Sequence, residues 1–225
     1  MKIANATQTA PVLQDQRRIR VVLVDDHPAV RAGLGAILSD DPRIDVVAAA
    51  ATAAEAFELI EQERPDLAIV DYNLPGEDGV SLCYRLESLP MPPRVLLLSA
   101  FADDTLAVMA VVAGADGVMS KGAPIDLHKT AVALVAGETR MPEISPLVLK
   151  ASGFKLDPED LPILGMLVHG VPADDIAATL NVTPAWLGVR RWGMLEKLRD
   201  RRPRRAGGQP LIRFPSVDTD VVLAR

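Results

Sequence analysis

The chain has 225 residues, of which 49% are hydrophobic and 24% are charged. This length allows one sizeable core and a smaller second unit, so two domains are expected. No apolar run in the sequence approaches the roughly 18 to 20 residues that cross a bilayer, and the N-terminus lacks the pattern of a secretory signal. We therefore expect a cytoplasmic protein that does not insert into a membrane.

The net charge of -6 conceals two regions of opposite sign. Residues 1–150 hold 13 Lys and Arg against 21 Asp and Glu, a net charge of -8, whereas residues 186–205 hold 8 against 2, a net charge of +6. A basic block beside a predicted helix suits nucleic acid, and a solvated helix face followed by a charged tail explains it equally well. Charge alone leaves both interpretations open.

Residues 20–137 alternate short apolar runs with amphipathic stretches. The apolar runs predict five strands, at about Arg20–Val24, Asp45–Ala50, Asp66–Val70, Arg94–Leu98 and Gly117–Met119. The stretches between them predict helices at about Ala29–Ser39, Ala53–Glu63, Val80–Leu89, Asp103–Ala113 and Ile125–Ala136. Strands that are apolar on both faces belong to a parallel sheet covered by helices. The pattern predicts an α/β domain with a five-stranded parallel, doubly wound sheet.

The pattern changes after residue 137. A stretch rich in proline and glycine predicts a linker with a short helix at Leu147–Ala151. Three helices follow, at about Pro158–His169, Ala173–Leu180 and Pro184–Asp200. In two of them a cap residue precedes a proline, Asp157 before Pro158 and Thr183 before Pro184, which predicts that each helix starts at its proline. A small all-α unit is expected.

Polar side chains follow several strands of the predicted sheet. Asp25 and Asp26 end the first strand, Asp71 ends the third, and Ser99 and Lys121 follow the fourth and fifth. In doubly wound folds ligands bind at the carboxyl edge where the strand order reverses, between the first and third strands. Each aspartate by itself could be a cap or turn residue. Gathered together, three buried carboxylates need a divalent cation to neutralise them, which suggests a magnesium-assisted phosphoryl site.

These residues resemble the receiver domain of two-component response regulators, a flavodoxin-like fold. The resemblance rests on four segments: Val24-Asp25-Asp26-His27, Val70-Asp71-Tyr72-Asn73-Leu74-Pro75-Gly76-Glu77-Asp78-Gly79, Leu98-Ser99-Ala100 and Ser120-Lys121-Gly122. It implies that Asp71 accepts a phosphoryl group from a sensor histidine kinase, and that Ser99 and Lys121 contact the phosphoryl oxygens. It also implies Mg²⁺ held by Asp25, Asp26, Asp71 and the backbone carbonyl of Asn73. His27 is expected to lead into the first helix, because a hard cation prefers oxygen ligands.

One position departs from the receiver pattern. The family usually has an aromatic residue on the fifth strand, three residues before the lysine, and this chain has Val118 there. A β-branched aliphatic side chain cannot make the large inward rotation of that aromatic residue. The relay from the phosphoryl site to the output surface is therefore expected to be altered, or carried by Phe101.

Residues 156–198 resemble the helix-turn-helix domain of response regulators of the LuxR/NarL type. The segments that carry this resemblance are Leu156-Asp157-Pro158-Glu159, His169-Gly170, Asp175-Ile176-Ala177, Leu180-Asn181-Val182-Thr183 and Glu196-Lys197-Leu198. It implies that the last helix enters the major groove, with Arg190, Arg191 and Lys197 as DNA contacts. Arg202, Arg204 and Arg205 could add phosphate contacts.

The predicted recognition helix departs from the family in several ways. Gly188 stands where a lysine is common, Arg191 falls at a usually apolar position, and Gly193 is a second interior glycine. Each glycine weakens a helix by about 1 kcal/mol relative to alanine. Trp186 and Trp192 are expected to pack in a core or a dimer rather than to stack on bases. A degenerate domain that contacts protein instead of DNA is the alternative.

The sequence thus predicts a phosphorylation-dependent transcriptional regulator that is not an enzyme, acts on promoter DNA and forms a homodimer. The expected divisions are an N-terminal extension at 1–18, a receiver at 19–138, a linker at 139–155, a helix-turn-helix domain at 156–200 and a basic and apolar tail at 201–225. A signalling adaptor with a protein-binding output domain is one rival. A magnesium phosphohydrolase is another, although the sequence shows no evident substrate pocket or acid.

Overall fold

The computed structural model describes residues 17–122 and 126–199. Five parallel strands form one sheet in the order β2-β1-β3-β4-β5. Their bounds are β1 Ile19–Val24, β2 Ile44–Ala50, β3 Leu67–Asp71, β4 Arg94–Ser99 and β5 Gly117–Ser120. The order reverses between β1 and β3, as expected, and the prediction of a doubly wound, flavodoxin-like α/β domain is confirmed.

In the described residues, one helix follows each strand, and further helices form a second group after the α/β domain. Those of the α/β domain are α1 Pro28–Ser39, α2 Ala53–Glu63, α3 Gly79–Leu86, α4 Asp104–Ala113 and α5 Leu127–Val135. The second group consists of α6 Pro146–Gly153, α7 Asp160–Val168, α8 Ala173–Leu180 and α9 Pro184–Leu198. Within the part of the chain that is described, no helix has both the length and the apolar character needed to cross a membrane.

The sheet buries both of its faces because side chains alternate along each strand. Val21 and Leu23 of β1 pack on one side with α1 and α5, whereas Val22 and Val24 pack on the other side with α2, α3 and α4. All four side chains are at most 2% exposed. The apolar runs of the sequence therefore form strands that are covered on both faces.

The predicted start of α7 at Pro158 is wrong, since the helix begins at Asp160. A tight turn precedes it, in which the Asp160 N–H donates to the Asp157 carbonyl over 2.9 Å and the Asp157 N–H donates to Asp160 Oδ2 over 3.2 Å. Pro162 therefore occupies the first turn, where a backbone N–H has no partner within the helix. The other predicted start is confirmed, because Thr183 Oγ1 accepts from the Trp186 N–H over 3.1 Å and α9 begins at Pro184.

The predicted linker contains the expected short helix, α6, and one feature that has no sequence signal. Arg140 forms a bridge with Gly117 at the edge of β5. Its carbonyl accepts from the Val118 N–H over 3.0 Å, and its N–H donates to the Asp116 carbonyl over 2.8 Å. The segment after α5 is thus anchored on the sheet. The domain divisions stay predictions, and the tail at 201–225 lies outside the described residues.

The second group of helices packs directly on α4. In α4, seven of ten residues are buried: Leu106, Ala107, Val108, Met109, Ala110, Val112 and Ala113. Ile163 of α7, Ile176 of α8 and Leu195 of α9 belong to the same buried apolar cluster as the α2, α3 and α4 side of the sheet. One hydrophobic core therefore runs through both parts of the molecule.

Candidate metal centre

The carboxylates predicted from the sequence converge at the carboxyl edge of the sheet. Asp25 follows β1 and is 1% exposed, and Asp71 ends the neighbouring strand β3 and is 2% exposed. Asp25, Asp26, His27 and Asp71 can each offer one ligand atom such that all of these atoms lie within 4.8 Å of one another. The neighbouring parallel strands bring together Asp25 and Asp71, which are 46 positions apart in the sequence.

Lys121 supplies positive charge to this cluster. Its Nζ donates to Asp25 Oδ2 over 2.6 Å and lies 2.8 Å from Asp71 Oδ2. The Lys121 N–H donates to the carbonyl of Ser99 over 2.8 Å, which ties the end of β5 to the end of β4. One cation therefore bridges two buried carboxylates that would otherwise repel each other.

The pKa values reflect this balance of burial and pairing. Burial is the largest influence on the pKa of Asp71 and raises it, against the opposing effects of Lys121 and of the Asn73 N–H. For Lys121, burial acts to lower the pKa, but the ion pairs with Asp25 and Asp71 together raise it above its ordinary value. Additional positive charge near Asp71 would therefore stabilise its ionised form.

Asp26 provides the test of whether a cation fits here. Its Oδ1 is buried and accepts no hydrogen bond from the described residues, although His27 Nδ1 lies 2.5 Å away. A buried carboxylate oxygen with only a histidine ring nitrogen beside it would be stabilised by a bound cation. The oxygen-rich donor set suits a hard cation such as Mg²⁺, which would neutralise charge at Asp71. Asp25, Asp26 and Asp71 fit that role.

His27 is the residue that precedes α1, as predicted. Its ring also belongs to the group of potential ligands, which the sequence argument had set aside. Asn73 donates its N–H to Asp71 Oδ1 over 3.2 Å, so the loop after β3 folds back on the carboxylate. The role of the Asn73 carbonyl stays a prediction.

Ser99 lies beside the acidic cluster but interacts with its own loop. It is 3% exposed, and its hydroxyl donates to the Phe101 carbonyl over 3.0 Å and accepts from the Phe101 N–H over 3.2 Å. Phe101 is 83% exposed, whereas Val118 is buried. Contact between Ser99 and a phosphoryl group would therefore require the turn at Phe101 to rearrange.

Comparison with known proteins identifies this arrangement. The sequence profile of the response regulator receiver domain matches residues 21–133. Over 199 residues the chain is 31% identical to the nitrate/nitrite response regulator protein NarL of Escherichia coli (strain K12), covering 83% of this chain and 92% of that protein. The chain belongs to the response regulators of the LuxR/NarL type.

Other relatives agree with that assignment. The DNA-binding transcriptional activator DevR/DosR of Mycobacterium tuberculosis (strain ATCC 25618 / H37Rv) is 33% identical over 170 residues, which cover 71% of this chain and 78% of the relative. A crystal structure of a LuxR-family two-component response regulator from Aurantimonas sp. SI85-9A1 is 33% identical, has a TM-score of 0.53, and covers 59% of this chain and 94% of that chain. The names of these relatives describe regulators.

In this response regulator, the residues predicted to contact DNA are paired with acids. Arg190 forms an ion pair with Asp160, which is 1% exposed. Lys197 Nζ lies 3.0 Å from Asp160 Oδ2 and 2.5 Å from Asp157 Oδ2. Arg191 is 3% exposed and forms an ion pair with Glu87 of the receiver. Their role as DNA contacts stays a prediction.

The two tryptophans of the response regulator pack as the sequence predicted. Trp186 and Trp192 both lie partly buried against the apolar core. The Trp192 ring is 5.3 Å from that of Tyr84 on α3, measured between centroids. Tyr84 and Glu87 were not predicted as partners of α9, because neither belongs to a motif. The unusual residues of α9 were the only signal.

Proposed function

We propose that this response regulator accepts a phosphoryl group from a sensor histidine kinase on Asp71 and regulates transcription in response. The observation that carries the proposal is the buried Asp71 carboxylate, which has Lys121 on one side and Asp25 and Asp26 beside it. Phosphoryl transfer depends on alignment and charge neutralisation more than on covalent help. The edge of this sheet offers both.

In the proposed transfer, a carboxylate oxygen of Asp71 attacks phosphorus and forms an acyl phosphate. The bond from phosphorus to the kinase histidine breaks, and the histidine nitrogen keeps the electron pair. Mg²⁺ would lower the repulsion between the two anions. Lys121, already 2.8 Å from Asp71 Oδ2, would pair with the phosphoryl oxygens, and Ser99 would donate to them after leaving Phe101.

Phosphorylation with acetyl phosphate and Mg²⁺ tests this step. We expect one equivalent of acid-stable, base-labile label on the wild type and none on Asp71→Asn. Asp45→Asn is the matched control, since it removes an exposed aspartate of β2 and should leave labelling unchanged. Labelling of Asp71→Asn equal to that of the wild type would place the acceptor elsewhere.

Promoter DNA is the first candidate target of the output domain. Its support is the relative DevR/DosR, whose name describes a DNA-binding transcriptional activator. Arg190, Arg191 and Lys197 would then supply contacts after leaving their present partners, and a homodimer would bind two half-sites. A salt titration of DNA binding tests it, because each lost phosphate contact should reduce the slope of log affinity against log salt by about 1.

Contact with another protein is the second candidate output, and a specific observation favours it. The cations of α9, namely Arg190, Arg191 and Lys197, are all in ion pairs. The exposed residues of α9 are Pro184, Ala185, Val189 and Glu196, and its partly exposed cations, Arg190 and Lys197, are held by Asp157 and Asp160. DNA affinity that is absent even at low salt would support this candidate against the first.

A further inference from the structure

Helix α9 makes a specific interface with the receiver. The Tyr84 hydroxyl of α3 donates to the Gly188 carbonyl over 2.7 Å, and the Tyr84 ring packs against Trp192. At the other end of α9, the guanidinium of Arg199 lies 3.1 Å from Asp78 Oδ1 and also contacts Ser81. The contacts therefore extend along most of the helix.

Arg191 is the centre of this interface. Its two terminal nitrogens donate to the two carboxylate oxygens of Glu87 over 2.7 and 3.0 Å, and its Nε donates to the Val112 carbonyl over 2.8 Å. Glu87 caps the C-terminus of α3, and Val112 lies in the last turn of α4. A cation is favourable at helix C-termini, and a bidentate guanidinium pair is among the stronger charged contacts. Arg191 thus joins the ends of two receiver helices.

Gly188 allows the close approach that this interface requires. A Cβ at this position would lie 3.2 Å from the Tyr84 hydroxyl, which is tighter than most real Cβ contacts. Glycine inside a helix is destabilising relative to alanine, so its presence here needs a reason. Gly193 in the same helix has no neighbour within 4 Å of such a Cβ. Of these two glycines, therefore, only Gly188 lies where an added side chain would press against the receiver.

Helix α4 gives the interface its apolar part. After Asp104 and Thr105, its remaining residues are all apolar, and the outer side is covered by the second group of helices. Separation of the two parts would expose this surface to water. Domains usually move relative to each other unless their interface is large and hydrophobic, and here one core is shared.

We infer that α9 is a receiver-binding helix, which stays docked on α3 and α4 whether or not Asp71 is phosphorylated and so does not read DNA. Gly188, Arg191 and Trp192, which depart from the recognition-helix pattern, are its docking residues. The inference rests on the proposed function only because it compares the phosphorylated and unphosphorylated states of Asp71. It implies that the output of this protein is contact with another protein rather than with DNA.

Spin labels on the full chain test the docking. We would place them at Lys129→Cys on α5 and Val189→Cys on α9, which are exposed positions, while the buried Cys83 stays unlabelled. Distances are measured before and after treatment with acetyl phosphate and Mg²⁺, and the phosphoryl content of the same sample is measured by mass. We expect one unchanged distance in phosphorylated chains. A second distance that grows in proportion to phosphorylation would overturn the inference.

A pair of charge-matched variants decides the question even if no phosphoryl group is taken up, a result that would count against the proposed function alone. Gly188→Lys places a long side chain against Tyr84, whereas Gly193→Lys adds the same charge to the same helix without a close neighbour. We expect an undocked population, and at least tenfold tighter binding to duplex DNA at low salt, for Gly188→Lys only. Equal distances and equal DNA affinities in the two variants would refute the docking role.

Discussion

At the scale of single residues, Lys121 forms ion pairs with two buried carboxylates at once. Its Nζ contacts the acids Asp25 and Asp71, whose side chains are 1% and 2% exposed. Removal of one partner from a buried pair leaves an uncompensated charge, which is far more costly than the loss of a surface pair. The stability of the metal-free protein should therefore depend on this side chain.

We expect Lys121→Gln to lower the free energy of unfolding by about 3 kcal/mol in urea denaturation with a chelator present. Added Mg²⁺ should recover part of the loss, because it would neutralise the same carboxylates. Lys129→Gln is the control, since its ion pair with Asp126 is exposed and should be worth less than about 1 kcal/mol. Equal losses in the two variants would mean that the acids do not depend on Lys121.

Asp41 gives a pH-dependent prediction away from the site. Hydrogen bonds from Arg43 lower the pKa of this carboxyl from 3.8 to about 2. Because the folded pKa is depressed, the stabilisation is fully present above pH 3.8 and is lost as the pH falls towards 2.

The stability difference between the wild type and Asp41→Asn should therefore be constant from neutral pH to about pH 4 and shrink below it, as measured by urea unfolding. Asp126→Asn, which removes an exposed carboxylate, serves as the control. A difference between the wild type and Asp41→Asn that grows on acidification would contradict this assignment.

At the scale of elements, two glycines in helices differ in how much space a side chain would have. Gly33 lies exposed inside α1, and a Cβ there would have no neighbour within 4 Å. Gly79 begins α3, and a Cβ there would overlap the backbone carbonyl of Asp71. The first glycine only weakens its helix, whereas the second lets α3 approach the residue proposed to accept the phosphoryl group.

Gly33→Ala should raise the free energy of unfolding by roughly 0.5 to 1 kcal/mol through helix propensity. Gly79→Ala should lower it by about 1 to 3 kcal/mol through overpacking and should slow the labelling of Asp71. Thermal unfolding and the acetyl phosphate assay measure the two effects. A Gly79→Ala protein with unchanged stability and labelling would show that the end of β3 can move without consequence.

The elements also show how far the sequence could predict this fold. Strands such as β1 and β3 were predictable because they are apolar on both faces, and the site followed because parallel strands end at a common edge. The start of α7 was not, because a cap residue before proline also suits the turn at Asp157. The bridge from Arg140 to the edge of β5 was not predictable either, because it consists of backbone hydrogen bonds that leave no periodic pattern.

At the scale of the whole molecule, the interface was beyond sequence reasoning for a different reason. Glu87 and Arg191 are separated by 104 residues, and neither lies in a motif that names the other. The apolar residues of α4 predict that the helix is buried, but they do not identify what covers it. Gly188 and Arg191 were recognised as departures, and only the contacts with Tyr84 and Glu87 give these departures a physical role.

The shared core predicts that the chain unfolds as one cooperative unit. Its two tryptophans, Trp186 and Trp192, both lie on α9, whereas the far-ultraviolet circular dichroism reports on helices throughout the molecule. If the core is continuous, urea transitions followed by tryptophan fluorescence and by circular dichroism should coincide.

The variant Arg191→Met should separate the two transitions, because it leaves Glu87 without its partner and weakens the docking of α9. Lys150→Met, an exposed change on α6, should leave them coincident. A fluorescence transition that precedes the circular dichroism transition in the wild type would show that the two parts unfold independently.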